Sequence, residues 1–144
     1  MNHTGAGYSI RRGSNAINEG SRRIQDEATV FQAEIMAIKM AMEALGSNLQ
    51  PQDRYIKIFS DSQAAIRALN SSTVTSQLVK DTVYELNKIG ANVDRLEIAW
   101  IKAHVGHPGN ERADELAREA CELEKNTEGI NIYHTATLKN SSQI

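Results

Sequence analysis

The stretch Tyr55–Leu69, which reads YIKIFSDSQAAIRAL, constrains the fold more than any other part of the chain. Residues 55–59 are rich in aromatic and β-branched side chains, a composition typical of a mostly buried strand. The residues after Asp61 have a helical pattern. In open α/β sheets, the carboxyl end of a buried strand is where ligands and catalytic groups collect. The stretch therefore predicts an α/β fold with a candidate functional carboxylate, Asp61, at one edge of the sheet.

A purely structural role for Asp61 is the competing interpretation. Ser60 or Asp61 is placed to cap the helix that follows, and for an isolated aspartate the cap is the more common role. A functional role requires other carboxylates, or a histidine, that the fold brings to the same edge.

Length, composition and charge restrict the class of protein. A chain of 144 residues is one domain, large enough to bury a core without covalent cross-links. The single cysteine, Cys121, cannot form an internal disulfide, which favours a reducing intracellular compartment. No apolar run is long enough to cross a bilayer, and residues 1–20 lack the pattern of a signal peptide. The net charge of −2 excludes an overall basic field, so a polyanion would have to be bound locally.

The first thirty residues predict a hairpin. Residues 1–7, MNHTGAG, have the composition of a turn, and residues 8–12 that of a strand. A second strand is predicted over 21–28, with residues 15–20 forming the connecting turn. Two strands alone do not form a stable sheet, so the hairpin must pair with later elements.

A helix is predicted to follow the hairpin. Thr29 and Gln32 have the spacing of a capping box, and apolar residues recur at helical spacing up to Gly46, where we expect the helix to end. Glu34 lies at the margin of the apolar stripe. A glutamate early in a helix usually interacts with the helix dipole and with solvent. The position of Glu34 beside the core keeps a functional role open.

Three further elements are predicted: a helix over 74–89, an interior strand over 96–102 and a helix over 110–124. Strands and helices that alternate after a hairpin indicate an α/β layer with some parallel pairing. Residues 125–144 show no sustained periodicity and are predicted to be a tail or linker. Within them, Ile130 and Ile132 are placed to form a short strand.

The segment 102–114, KAHVGHPGNERAD, connects the last predicted strand to the last predicted helix. His104 follows the carboxyl end of the strand, in a loop whose glycines would let a general acid or base move. Asp114 lies one turn into the helix, beside its apolar face. A solvated loop histidine and a first-turn aspartate that interacts with the helix dipole are the competing interpretations.

Two other kinds of site are weaker hypotheses. His104, His107 and Cys121 could bind zinc, but three candidate ligands without a paired motif are a poor signature of a zinc site. Ser60 or Ser62 with a histidine could form a hydrolase pair, but no nucleophile-elbow glycines flank either serine.

Three motifs taken together resemble a known family. They are FQAEIMAI, which contains Glu34; IKIFSDSQAAI, which contains Asp61; and WIKAHVGHPGNERADELA, which contains His104 and Asp114. Their order and spacing are similar to those of type 1 ribonuclease H, particularly the domains of non-LTR retrotransposon polyproteins. The resemblance implies a ribonuclease H-like α/β fold over residues 1–124, with a mixed sheet and helices on both faces. It also implies hydrolysis of the RNA strand of RNA–DNA hybrids, with a reverse transcriptase domain of a parent polyprotein as a partner.

The resemblance also implies roles for individual residues. Glu34, Asp61 and Asp114 would hold two Mg²⁺ ions, with Mn²⁺ as an alternative, and His104 would assist proton transfer or product departure. Carboxylates suit this role because hard cations prefer oxygen ligands and because paired metal charges must be neutralised.

The matched motifs also imply contacts with the substrate. Gln63 matches a position that contacts the hybrid, and Thr29 matches a phosphate-pocket position at which its capping role competes. The substrate would be recognised by the shape of the hybrid and by its 2′-hydroxyl groups, not by base sequence.

One departure from the family bears on activity. Family members carry a fourth carboxylate, in an Asp-Gly-Ser turn that ends the first and central strand. That strand is expected to be absent here, as if Met1 were an internal start or a truncation, and Asp26 is not a substitute. We expect a gap with unpaired backbone groups, lowered stability and weak or absent cleavage by residues 1–144. A catalytically inactive remnant that binds nucleic acid or has a structural role is the alternative function.

Overall fold

The computed structural model describes residues 2–12, 15–25, 27–73, 76–101, 112–113, 115–116 and 133–140. In chain order its elements are β1 (Asn2–Arg12), β2 (Asn15–Ile24), α1 (Val30–Asn48), β3 (Tyr55–Ser60), α2 (Gln63–Asn70), α3 (Gln77–Gly90), β4 (Arg95–Trp100) and β5 (Tyr133–Asn140). Residues 112–113 and 115–116 are also helical, within the helix predicted over 110–124. None of the helices in the described ranges is long and apolar enough to cross a membrane.

The strands form one mixed sheet in the order β2-β1-β5-β3-β4. β1 is antiparallel to both β2 and β5, whereas β3 is parallel to both β4 and β5. The predicted mixed α/β sheet is therefore confirmed. The parallel pair β3–β4 is joined by α2 and α3, as parallel strands require a crossover.

The centre of the sheet differs from the expectation. We expected a gap where the first strand of the family lies, and residues 125–144 as a tail or linker. Instead, residues 133–140 form β5, which pairs with β1 from Asn2 to Ser9 and with β3 at Phe59. Most of the backbone that was expected to be unpaired therefore has a partner. Ile130 and Ile132, the predicted short strand, lie outside the described residues.

The hairpin was predicted correctly, but its strands are longer than predicted. β1 begins at Asn2, within the segment predicted as a turn. β2 spans Asn15–Ile24, so the connecting turn predicted over 15–20 and the end of the second strand predicted at residue 28 are wrong. Glycines and polar residues weaken a strand in isolation. Here β1 is paired along both sides, and tertiary pairing outweighs the weak local preference.

The start of α1 follows the prediction. Thr29 is the N-cap: its side chain accepts a hydrogen bond from the Gln32 amide at 3.1 Å, and the Gln32 side chain accepts one from the Thr29 amide at 2.8 Å. The predicted end at Gly46 is wrong, because the helix continues to Asn48. An added Cβ at Gly46 would lie 3.7 Å from Ile89 of α3, so this glycine lies at a helix–helix contact.

Both faces of the sheet are covered at β1. Every residue from Thr4 to Ile10 is buried, and alternate residues of a strand lie on opposite faces. On one face, Tyr8 and Ile10 pack in the same apolar core as Ile35, Ile38 and Met42 of α1.

The covering layer on the other face includes the helical residues 112–113 and 115–116. Ser9 is buried on this face and pairs with Glu19 of β2, whose carboxylate binds Arg112. These contacts agree with the prediction of helices on both faces.

The two strands of the parallel pair are less buried than predicted. In β3, Ile56 and Ile58 face the core. Tyr55 is 75% exposed, and Lys57 lies on the same solvent-exposed face of the strand. β4 was predicted to be an interior strand, but it is an edge of the sheet in the described structure. Apolar composition alone did not distinguish an edge strand from an interior one.

An ion pair joins the end of β1 to the loop before β3. Arg12 Nε and Nη2 donate to the two carboxylate oxygens of Asp53 at 2.9 and 2.6 Å. The Gln50 amide also donates to Asp53, at 2.8 Å. The hydrogen bond from Arg12 lowers the pKa of Asp53 below its ordinary value.

This ion pair predicts a pH dependence of stability. A carboxyl with a lowered folded-state pKa stabilises the fold above about pH 4 and loses that contribution as the pH falls through the folded-state pKa. We expect Asp53→Asn to lower the free energy of unfolding at neutral pH by about 1 kcal/mol, because Arg12 is partly exposed and its pair is screened. Urea unfolding of both proteins checks this, and the difference should shrink near pH 2. A difference that does not change with pH would contradict the assignment.

Candidate active site

Asp61 directly follows the last residue of β3, at the carboxyl edge of the sheet, and is half-buried. It does not cap α2. The N-cap is Ser62, whose hydroxyl accepts a hydrogen bond from the Ala65 amide at 3.1 Å. The hydroxyl of Ser60 accepts one from the Ser62 amide at 3.0 Å. The competing interpretation, a cap formed by Ser60 or Asp61, is therefore wrong.

The chain leaves β4 beside Asp61. The Ile101 amide donates a hydrogen bond to the Ser60 carbonyl at 2.9 Å, which extends the β3–β4 pairing to the carboxyl ends of both strands. His104 follows Ile101 by three residues, so its segment starts at the edge that carries Asp61. His104 itself lies outside the described residues.

Glu34 lies in the second turn of α1 and is only 5% exposed. The start of α1 lies at the same edge as Asp61, because the Thr4 hydroxyl donates to the carbonyl of Ala28 at 3.1 Å. Thr4 pairs with Leu138, near the carboxyl end of β5. Since β5 is parallel to β3, the carboxyl ends of both strands lie at this edge.

Distances along the helix and the strand place Glu34 at the level of Gly7. A helix rises about 1.5 Å per residue, so Glu34 lies about 9 Å from Ala28 along the axis of α1. A strand rises about 3.3 Å per residue, so Gly7 lies about 10 Å from Thr4. α1 follows β1 along its length, because Leu45, near the other end of α1, lines a cavity of about 280 Å³ with the last residues of β1.

Strand register places Gly7 and Asp61 at one level as well. Gly7 pairs with Thr135 of β5. On the other side of β5, Tyr133 pairs with Phe59 of β3, and the two strands are parallel. Two residues further along both strands, the same register places Thr135 beside Asp61. Glu34 and Asp61 therefore occupy the same level at the carboxyl edge of the sheet.

The segment that carries Asp114 is tied to β2. Arg112 Nε donates to the Glu19 carboxylate at 2.9 Å, and Arg112 Nη1 lies 3.2 Å from the carboxylate of Glu115. The hydrogen bond to Glu19 raises the pKa of Arg112 above its already high value. Ala113 and Leu116 are buried. Asp114 lies outside the described residues.

The two candidate substrate-binding residues lie at helix starts. Gln63 is the first residue of α2, is exposed, and accepts a hydrogen bond from Arg67 at 3.4 Å. Thr29 caps α1, so its hydroxyl already has a structural role. Both helix starts are near the carboxyl edge of the sheet, where backbone amides point outward and attract anions.

The donor chemistry at this edge fits a hard divalent cation better than zinc. Glu34 and Asp61 offer carboxylate oxygens, the ligands that Mg²⁺ prefers. In the parts of the chain that the structure describes, no three His, Cys, Asp or Glu side chains are grouped to hold a metal. Asp114 and the alternative zinc ligands His104, His107 and Cys121 lie outside those parts.

Comparison with known proteins identifies the family. The family model for RNase H matches residues 1–122, most of the chain. A ribonuclease H from Edwardsiella ictaluri is 31% identical over 128 residues, which cover 81% of this chain and 77% of that protein. A ribonuclease H from Blochmanniella floridana is 34% identical over 113 residues, which cover 68% of this chain and 63% of that protein. The chain thus spans less than two thirds of the second relative.

Solved structures agree on the fold. RNase H1 from the halophilic archaeon Halobacterium salinarum NRC-1 superposes with a TM-score of 0.63 at 26% identity, over 83% of this chain and 86% of that one. The N-terminal RNase H domain of rv2228c from Mycobacterium tuberculosis superposes with a TM-score of 0.60 over 83% of this chain and 91% of that one. Its identity of 16% supports the fold alone. The chain therefore belongs to the RNase H family.

Proposed function

We propose that this chain hydrolyses the RNA strand of RNA–DNA hybrids, with Glu34, Asp61 and Asp114 as ligands of two Mg²⁺ ions. The observation that carries the proposal is that Glu34 and Asp61 lie at one level of the carboxyl edge, in a chain whose family and relatives are ribonucleases H. Mn²⁺ has similar ligand preferences and would substitute. Such ions, when bound, supply an activated water and stabilise the leaving 3′ oxygen.

The side chains of this chain would prepare the site for that chemistry. Burial of Glu34 lowers the local dielectric and strengthens its attraction to a cation. His104, on the segment that starts beside Asp61, would assist proton transfer or product departure. Gln63 and Thr29, at the amino ends of two helices, would contact the sugar–phosphate backbone of the hybrid.

The cellular setting is also a proposal. The motifs resemble those of non-LTR retrotransposon polyproteins, so we propose a reverse transcriptase domain as a partner and an intracellular location. A partner domain would supply the affinity for nucleic acid that a chain with a net charge of −2 does not provide by itself.

The experiment that tests the function is cleavage of labelled duplexes by residues 1–144. We expect slow cleavage of the RNA strand of a hybrid in Mg²⁺, loss of cleavage with a chelator, and no cleavage of double-stranded RNA or DNA. Efficient cleavage would contradict the expected weakness. Metal-independent cleavage would contradict the metal mechanism.

An inactive remnant is the second candidate function. One observation favours it: β5, the strand that lies at the centre of the sheet, carries no carboxylate in its sequence YHTATLKN. Hybrid binding without cleavage, at any metal concentration, would establish this alternative.

The Glu19–Arg112 pair predicts a positioning effect on the metal site. Arg112 precedes Asp114 by two residues, and its bond to Glu19 ties that segment to the sheet. We expect Glu19→Gln to weaken Mg²⁺ binding about tenfold, as loss of a supporting contact does in other metal sites. Isothermal titration calorimetry measures the effect.

Asp53→Asn is the matched control, since it breaks an arginine–carboxylate pair whose Nε–oxygen distance is also 2.9 Å and which joins the end of β1 to the loop before β3. An equal loss of Mg²⁺ affinity in both variants would show that the effect reflects stability and not the position of Asp114.

A further inference from the structure

A cavity of about 280 Å³ lies between the last residues of β1 and the first residues of β3. The described part of β5 pairs with β1 no further than Ser9 and with β3 only at Phe59, so it does not reach between these two segments. The cavity extends to Tyr55, which is about 20 Å from Asp61 along β3. Neither Glu34 nor Asp61 lines it, so it is distinct from the candidate metal site.

The charged side chains that line this cavity are mostly cationic. Arg11, Arg12 and Lys57 line it together with one carboxylate, that of Asp53. Asp53 already accepts two hydrogen bonds from Arg12. The net charge of the whole chain is −2, so the local charge here is opposite in sign and favours an anionic ligand.

Two aromatic rings of β3 also line the cavity. Tyr55 is 75% exposed, and Phe59 lies on the same face of the strand. The Lys57 ammonium is 5.5 Å from the centre of the Phe59 ring and 3.5 Å from the Glu97 carboxylate. Because Lys57 is about half exposed, its attraction to Glu97 is screened by solvent, and its ammonium can also contact a phosphate.

The remaining walls suit a flat, hydrogen-bonding ligand. Ile10, Ile56 and Leu45 are buried and close the cavity with apolar side chains. β3 pairs with β4 along its whole length, but no strand of the described structure lies beside its other edge at residues 55–58. The backbone N–H and C=O groups of that edge can therefore hydrogen-bond to a ligand.

We propose that this cavity binds one unpaired nucleotide, with the base stacked on Tyr55 and the phosphate beside Arg11 and Lys57. Its volume is close to the lower limit of about 300 Å³ for ligand cavities, so it suits one nucleotide and is too small for a duplex. Aromatic rings combined with cations hold single-stranded nucleic acid with little sequence preference. This site needs neither a metal nor cleavage, so it goes beyond the proposed function.

The test is the binding of a labelled single-stranded oligothymidylate, measured by fluorescence anisotropy at low salt without Mg²⁺. Tyr55→Ala should weaken binding about tenfold, because a stacking ring is lost. Tyr84→Ala is the matched control: Tyr84 is 62% exposed and has a lysine 5.2 Å from its ring, but it lies on α3 and does not line the cavity. Equal losses in both variants, or no loss in Tyr55→Ala, would overturn the proposal.

The salt dependence of binding gives a second readout. In Lys57→Gln, the slope of log K against log salt concentration should be less steep by about 0.7, the value of one phosphate contact in a single strand. Lys88→Gln is the control, because Lys88 also lies 3.5 Å from a glutamate and close to an aromatic ring. An unchanged slope in Lys57→Gln, or equal changes in both variants, would count against the proposed phosphate contact.

Adenosine monophosphate distinguishes the two sources of a nucleotide. Binding of adenosine monophosphate that Tyr55→Ala weakens would support a site for free nucleotides. Tyr55-dependent binding of the oligothymidylate alone would support a site for an unpaired stretch of a nucleic acid strand. If the unchanged protein binds neither, the proposal is wrong.

Hybrid cleavage separates this proposal from the proposed function. Tyr55→Ala and the unchanged protein should cleave a blunt-ended hybrid at equal rates, and a slower rate in Tyr55→Ala would contradict a separate site. Tyr55-dependent binding of the oligothymidylate without hybrid cleavage would support the nucleotide site and count against the proposed function. Cleavage without such binding would do the reverse.

Discussion

Asp61→Asn should lower the rate of hybrid cleavage at least about 100-fold, which corresponds to about 2.7 kcal/mol of activation free energy. Asp61 is at the carboxyl edge of the sheet, at the level of Glu34 and next to the origin of the His104 segment. Asparagine keeps the size of the side chain but removes the charge that a hard cation requires. The change should also weaken Mg²⁺ binding.

Protein stability should change little in this variant. α2 is capped by Ser62 and not by Asp61, so the substitution leaves the start of the helix intact. Loss of activity together with an unchanged melting temperature would therefore be a chemical effect.

The measurement is single-turnover cleavage of a labelled hybrid at saturating enzyme, which detects slow activity. Asp81→Asn is the matched control: Asp81 lies on α3, where its carboxylate accepts a hydrogen bond from Gln77 at 2.8 Å. Similar cleavage rates for Asp61→Asn and the unchanged protein would exclude Asp61 from the site. Equal losses in both variants would point to a general effect of net charge.

Ile58→Ala should lower the free energy of unfolding by about 3 to 4 kcal/mol. Ile58 is fully buried in the middle of β3, pairs with Ile98 of β4, and packs in the core with Ile38 of α1. The truncation removes apolar contacts and leaves a cavity between a sheet and a helix that cannot collapse onto each other. Because a domain of this size is stable by about 5 to 15 kcal/mol, the loss is a large part of the total.

Urea unfolding monitored by circular dichroism measures this loss. Tyr55→Ala is the matched control, since Tyr55 is on the same strand but mostly exposed, and it should change stability by less than about 0.5 kcal/mol. A loss below about 1 kcal/mol for Ile58→Ala would show that β3 is not part of the central core.

Local patterns predicted the parts of the fold that depend on neighbouring residues. The capping box of Thr29 and Gln32 is formed by residues three apart, so it could be read directly from the chain. The strands β3 and β4 were predicted from their apolar, aromatic and β-branched residues, which favour extended backbone at edge and interior positions alike. The same local reading was wrong at Gly46 and at residues 2–7. There, contacts with α3 and with β5 decide the structure.

The candidate site was predictable in part. Asp61 was selected by its position after a buried strand, and Glu34 by its place beside the apolar stripe of α1; both lie at the same edge in the structure. His104 and Asp114 stay predictions. The strand β5 was not predicted from the sequence, because a polar, aperiodic segment resembles a linker. Its pairing with β1, more than one hundred positions earlier in the chain, places it at the centre of the sheet.

The sequence by itself determined the order of the elements from β1 to β4, the capping of α1 and the family, since each depends on local spacing and residue type. The tertiary structure decided which strand lies at the centre of the sheet. The free edges of β1 and β3 carry backbone donors and acceptors that must be satisfied when buried, and β5 satisfies most of them along β1. Backbone hydrogen bonds between residues far apart in the chain decide the position of β5, and side-chain patterns in the sequence do not show them. β5 completes the five-stranded sheet, and its sequence contains no carboxylate.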